Sequence, residues 1–323
     1  MKSKTTSTFL LTLSVTDLSV RIHCVGARAR LMLSILILTT MATAGLAGEA
    51  PAGSEDAQES YVGYLGDGII AEGEDEAAEL ARAVQNPVAD MISVPFQNNT
   101  NFDFGPRKRT QNVLNIQPVV PLTLSENWLM ITRTIMPVVS QPSLRPGQSS
   151  ATGLGDMLFT AFASPKSRRL WIGENVLWGA GPAILLPTST DDRLGPGELG
   201  AGPSAVFLAM PGRWVIGSLF SQVWSFTGDS DVDLFTWQYF VNYNMSDGWY
   251  LTSSPLITAN WKQNSSNTWT VPFGAGAGRV FRLGSLPPMN ASLLAFYNVE
   301  NPDNIGPEWS LRFTLQLLFP TGR

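Results

Sequence analysis

The chain has 323 residues, of which 44% are hydrophobic, 10% aromatic and only 15% charged, against about 25% charged in ordinary globular proteins. Past residue 47 no apolar run approaches the roughly 18 residues of a membrane helix. The net charge of −5 belongs to a short stretch: from residue 86 onward 15 acids balance 15 bases, which excludes the basic footprint of a nucleic-acid binder.

The only histidine and the only cysteine are neighbours, His23 and Cys24, ahead of the apolar stretch Leu31–Leu38. Arg28 and Arg30 precede the apolar stretch Leu31–Leu38, and Ala42, Ala44 and Ala47 follow. A positive region, a short apolar core and an A-x-A-like end describe a secretory signal peptide over residues 1–47. Its basic region is unusually long, so the true start codon could lie downstream; an uncleaved anchor is the alternative. If the leader is removed, the chain keeps neither Cys nor His. Disulfides, Cys/His zinc sites and histidine-based catalytic dyads or triads are then excluded.

Residues 48–85 hold ten acids against Arg82 alone. The Ala-, Glu- and Gly-rich part up to Tyr64 has a disordered composition. Glu72–Gln85 is built of helix formers, acidic at its start and with Arg82 near its end, which suits the helix dipole. Leu80 and Val84 stand four apart. A solvated linker helix is the reading adopted; a plug entering a barrel is the other.

From Met91 onward, runs of ten to fourteen residues alternate with Gly, Pro, Asn, Asp and Ser clusters. Strands are expected at 91–104, 112–124, 128–139, 154–164, 171–186, 198–210, 213–226, 232–245, 248–261, 268–282, 289–300 and 308–319. That is twelve, an even number, as a single-chain bacterial barrel requires. The fold class is therefore all-β: a 12-stranded antiparallel transmembrane barrel over 86–323, after a signal peptide and a short helical or disordered segment. In the last run Trp309, Leu311, Phe313, Leu315, Leu317 and Phe319 alternate with Ser310, Arg312, Thr314 and Gln316. Because side chains switch faces at every strand residue, one face is apolar and the other polar.

Short connections at Ser125–Asn127, Met210–Arg213 and Met245–Gly248, and long ones at Ser140–Gly153 and Thr188–Gly197, put both termini in the periplasm. Trp128, Trp171, Trp214, Trp249, Trp269 and Trp309 stand near strand ends, where interfacial girdles hold aromatic rings. The run at 128–139 resists assignment. Arg133 shares parity with Leu129, Ile131 and Ile135, and an arginine facing mid-bilayer lipid costs about 2–4 kcal/mol. Either a bulge shifts the register or Thr132 and Thr134 face outward.

The stretches NPVADMISVPFQNNTNFDFGP (86–106), TQNVLNIQPVVPLTL (110–124), LPTSTDDRLGPGELGAGPSAV (186–206), GWYLTSSPLITANW (248–261), WTVPFGAGAGRVF (269–281) and FYNVENPDNIGPEWSLRFTLQLLFP (296–320) resemble a bacterial outer-membrane barrel family labelled "MetA-pathway of phenol degradation" or transporter, often mislabelled neuromedin U. The resemblance implies an outer-membrane barrel connected with uptake of hydrophobic or aromatic compounds. It supplies no catalytic residues.

The candidate pore lining is Gln97, Asn99, Asn101, Asn115, Gln117, Glu174, Gln238, Asn242, Asn298 and Arg312. Amide-rich walls with few charges suit neutral or weakly selective solutes. A channel or transporter for small neutral or hydrophobic and aromatic compounds is expected. A structural or adhesive barrel with a closed lumen is the alternative. With no histidine left, no enzyme is expected, and no catalytic residue, cofactor or metal site is assigned. Expected partners are outer-membrane lipid, lipopolysaccharide, the barrel-assembly machinery and a small solute, with no nucleic acid. Loop acids such as Asp191, Asp192 and Asp303 could bridge cations to lipopolysaccharide, although solvated carboxylates are the simpler reading. GAGAG (274–278) lacks the helix and spacing of a dinucleotide loop and fits a close-packed wall.

Overall fold

The computed structural model describes residues 80–166, 176–227, 232–303 and 305–320. Glu174, Trp171, the expected signal peptide and most of the acidic stretch lie outside the described residues. In chain order the strands are β1 (Met91–Phe104), β2 (Arg109–Ile116), β3 (Val119–Thr123), β4 (Trp128–Gln141), β5 (Ala151–Leu154), β6 (Met157–Pro165), β7 (Val176–Leu186), β8 (Gly200–Ala209), β9 (Trp214–Ser225), β10 (Asp233–Asn244), β11 (Trp249–Ser253), β12 (Leu256–Asn260), β13 (Trp269–Phe281), β14 (Met289–Glu300) and β15 (Trp309–Pro320).

These segments make twelve staves, because β2 with β3, β5 with β6, and β11 with β12 are each one stave with a short break. Two breaks coincide with Pro118 and Pro255, which have no N–H to give the ladder, and the third with Gly155. Every pairing is antiparallel. The first and last staves pair from Met91↔Pro320 to Phe102↔Trp309, so the sheet closes on itself and leaves no edge. The expected 12-stranded barrel is the observed one.

Twelve staves bring the start of the first stave, Met91, and the end of the last, Pro320, to one end of the barrel. At that terminal end the connections 124–127, 210–213 and 245–248 are tight, and the last uses Asp247 and Gly248 at positive φ (54° and 72°) to reverse the chain. The connections 142–150, 187–199, 226–232, 261–268 and 301–308 at the opposite, loop end are longer. The exceptions are 105–108, a four-residue turn at the loop end, and 282–288, a seven-residue connection at the terminal end.

Side-chain facing follows the pairing register. In β15 the residues Trp309, Leu311, Phe313 and Phe319 are exposed on the outside, while Arg312 is buried inside. Outward residues of other strands are also large and apolar, with Phe273 69% and Leu293 50% exposed. So much contiguous apolar surface is the exterior of a membrane-embedded barrel. Aromatic pairs rim it at both ends. Trp128 lies edge-on to Trp178 and Trp214 beside Tyr243 at the terminal end; Trp261 meets Trp269 and Tyr297 meets Trp309 at the loop end. No helix among the described residues is long and apolar enough to span a membrane; the wall itself spans.

The register settles β4. Arg133 pairs with Thr160 on β6 and Val119 on β3, and Ile131 on the same face is buried against Phe162 and Val206. Arg133 therefore points inward without any bulge. The Thr face is the outer one, and Thr132 Oγ1 satisfies itself by donating to Val120 O at 3.0 Å. The lumen wall is consequently apolar along part of its circumference, through Leu129, Ile131, Phe162 and Val206, and polar along the rest.

Candidate functional site

Residues 80–90 do not lie in solvent as a linker helix would; they run across the lumen at its terminal end. A helical turn at 80–84 puts Ala81 into a cluster with Tyr250, Val280 and Leu318 from β11, β13 and β15, with Leu80 and Val84 packed against it. Further along, Val88 inserts among Leu129, Ile131, Phe162 and Val206 of β4, β6 and β8. Two polar ties hold the segment between these walls. Arg82 Nη2 donates to Met210 O at 3.0 Å, and the Gln85 and Asn244 amides bond reciprocally, at 2.9 and 3.2 Å. Burying a valine is worth about 1.5–3 kcal/mol and each neutral hydrogen bond about 0.5–1.5 kcal/mol, so the segment is seated.

Above it lies a lumen cavity of about 240 Å³, floored by Val84, Gln85, Asn86, Pro87 and Ala89. Its polar wall holds Gln97, Gln117, Gln238, Asn242, Asn290, Gln316 and two arginines, Arg133 and Arg312; Ile131, Phe162, Leu219 and Phe240 are apolar. None of the lining residues is acidic. The size sits just under the 300–1,000 Å³ range of drug-sized ligand pockets, so it suits a smaller solute.

Both arginines are anchored by neutral acceptors. Arg133 donates through Nη2 to Gln117 Oε1. Arg312 donates Nε to Asn99 Oδ1 at 2.9 Å and Nη1 to the Ser254 carbonyl at 2.7 Å, with its guanidinium 4.8 Å from the Phe296 ring centroid. The Ser254 carbonyl is at the β11–β12 break, so that interruption supplies an acceptor to the lumen. Beside them Tyr250 Oη donates to Asn290 Oδ1 at 2.7 Å, and Asn290 Nδ2 to Gln316 Oε1 at 3.1 Å.

Room for these inward side chains comes from inward glycines opposite them. A Cβ on Gly278 would sit 2.3 Å from the Tyr250 ring, and one on Gly217 would sit 2.3 Å from the Phe240 ring. The GAGAG stretch is thus a thinned wall, with Gly274, Gly276 and Gly278 on its inner face.

Gln97, Gln117, Gln238, Asn242 and Arg312 of the expected lining surround the cavity. Asn99 braces Arg312, and Asn115 pairs with Gln97 on the inner face. Asn101 begins an amide chain nearer the loop end, donating to Gln111 (2.7 Å), which donates to Gln141 (2.6 Å). Asn298 is tied to the Pro307 carbonyl at 2.6 Å in the last loop connection, away from the cavity. Glu174 is outside the described residues. Arg133, Tyr250, Asn290 and Gln316 are absent from the expected lining; parity alone marks the last three as inward, whereas Arg133 shares its parity with Leu129, Ile131 and Ile135 and only the pairing register turns it inward.

The loop 187–199 covers part of the other end. Leu194 packs on Val139 and Ala151 with Val113 alongside. Asp156 receives the backbone N–H groups of Ser189 and Gly197. Arg193 chelates Asp191 through Nε (2.7 Å) and Nη2 (2.6 Å), and these bonds hold the Asp191 carboxyl down at about 2. Asp191 is therefore committed to its own loop.

Geometry of this kind defines a closed twelve-stave outer-membrane-type barrel with a polar lumen. No family model matches the sequence, and no curated protein does. Among solved structures, an outer membrane channel from Pseudomonas putida F1 is similar at 17% identity and a TM-score of 0.55, over 72% of this chain and 97% of that one. The NanC porin is 11% identical with a TM-score of 0.42, over 70% and 98%. Outer membrane phospholipase A from Escherichia coli is 11% identical with a TM-score of 0.41, over 74% and 97%. At these identities the likeness is one of fold.

The last of these corrects the expectation that the chain is no enzyme. An enzyme, outer membrane phospholipase A, is among the solved structures to which the chain is similar, and the absence of histidine past residue 23 bars only histidine-based chemistry, so composition does not exclude enzymatic activity.

Proposed function

We propose that the protein is an outer-membrane channel passing small solutes through its lumen, with residues 80–90 as a removable obstruction and both termini in the periplasm. The observation that carries this reading is the cavity: about 240 Å³ of amide-, hydroxyl- and guanidinium-lined space inside a closed wall. A barrel that served only as a scaffold would gain stability by filling that space with apolar side chains. The stretches resembling the phenol-degradation family support the same reading and favour aromatic or hydrophobic cargo. Contact with lipopolysaccharide and folding by the barrel-assembly machinery belong to the same proposal.

The seated 80–90 segment favours a second reading, a barrel whose lumen stays shut. One experiment separates the two. The refolded chain in planar bilayers is expected to give discrete unitary conductance steps. Preparations that insert, as shown by heat-modifiable mobility, and never conduct would establish the shut barrel instead.

A further inference from the structure

The cavity contains two cations and no anion, and one side of it is greasy. Arg133 and Arg312 both face it, yet each is held only by neutral groups: a glutamine oxygen for Arg133, an asparagine oxygen and a backbone carbonyl for Arg312. A guanidinium has five N–H donors. Nε and Nη1 of Arg133 and Nη2 of Arg312 have no acceptor among the described residues. Neither arginine has a carboxylate within ion-pair distance among those residues; the ion pairs described, Lys108–Glu308 and Asp191–Arg193, lie in loops and turns. A cation taken out of bulk water without a counter-charge is costly, and a planar fork of donors matches a carboxylate. Leu219 on β9 and Phe240 on β10 stand across the lumen from β15 and β1 in the strand order, with Ile131 and Phe162 between.

We propose that the cavity binds a small monoanion with a compact apolar body, its carboxylate between Arg133 and Arg312 and its hydrocarbon part against Phe162, Leu219 and Phe240. This names the solute class for the channel reading and rests on it. Binding and conduction are nevertheless separable measurements.

The probes are benzoate, its neutral counterpart benzamide, and formate, titrated calorimetrically into the detergent-solubilised full chain in low chloride. Benzoate is expected to bind at least tenfold tighter than either of the others. Arg133→Gln and Arg312→Gln should each weaken benzoate tenfold or more and leave benzamide within twofold. Arg133→Lys and Arg312→Lys, which keep the charge but lose the fork, should fall between. Heat-modifiable mobility identifies variants that retain the barrel, and the Lys pair carries the test if a Gln variant does not fold. Benzoate binding no tighter than benzamide would overturn the anion site, as would arginine variants with unchanged affinity. Formate equalling benzoate would overturn the apolar half. Arg-dependent benzoate binding in a barrel that never conducts would leave this site standing and remove the channel reading.

Discussion

At the scale of single residues, the lumen is shaped as much by missing side chains as by present ones. Tyr250 is buried, bonded to Asn290, and packed against the segment at 80–84 because Gly278 leaves it space. Gly278→Ala is expected to destabilise the barrel by about 1–3 kcal/mol, the usual cost of overpacking. The Tyr250 ring cannot retreat without giving up the Asn290 bond and its contact with Ala81. Urea unfolding in lipid vesicles, followed by tryptophan fluorescence, measures this, and an unchanged midpoint would refute it. Arg133 teaches a second lesson at this scale. Its strand reads ambiguously because Leu129, Ile131 and Ile135 share its face, whereas a simple water-filled barrel keeps apolar residues outside. The ambiguity disappears once Val88 is seen to bury against that face; an apolar lumen wall is what an internal segment needs.

At the scale of elements, the staves were legible and the plug was not. A strand announces itself through alternation within its own ten or so residues, as Trp309 to Phe319 does. The breaks at Pro118 and Pro255 keep the register, whereas at Gly155 it slips by one residue, so that Gly153 faces inward with Val139 but Thr160 with Arg133. The seat of residues 80–90 depends on Tyr250, Val280, Leu318 and Phe162, all distant along the chain, and the only local sign is the spacing of Leu80 and Val84. Without those partners the acidic, helix-forming composition reads as a solvated linker. The seated segment has a consequence of its own. It fills the terminal end through apolar clusters on two walls and through the Arg82 and Gln85 ties, but none of the ladder bonds of the wall depend on it. Deleting residues 80–89 is therefore expected to leave heat-modifiable mobility intact and to raise single-channel conductance severalfold. A deleted chain that folds and conducts no better would mean that the obstruction lies elsewhere, for which the loop at 187–199 is the obvious candidate.

At the scale of the whole molecule, closure from Met91 to Pro320 makes an edge-free wall with aromatic rims, and everything distinctive is inside it. Sequence parity foresaw a neutral, amide-rich lumen; the structure adds Arg133 to Arg312 in one cavity without an acid, and so gives that lumen a sign. Charges in a narrow, partly apolar passage are screened by salt much less than charges on an open surface, and rings of arginine or lysine are how pores favour anions. The most direct measurement is the reversal potential of the refolded chain in a planar bilayer under a tenfold potassium chloride gradient. The account predicts unitary conductance with a reversal potential of the sign set by chloride, moving toward zero in Arg133→Gln and Arg312→Gln; a cation-selective potential, or one indifferent to both arginines, would contradict it.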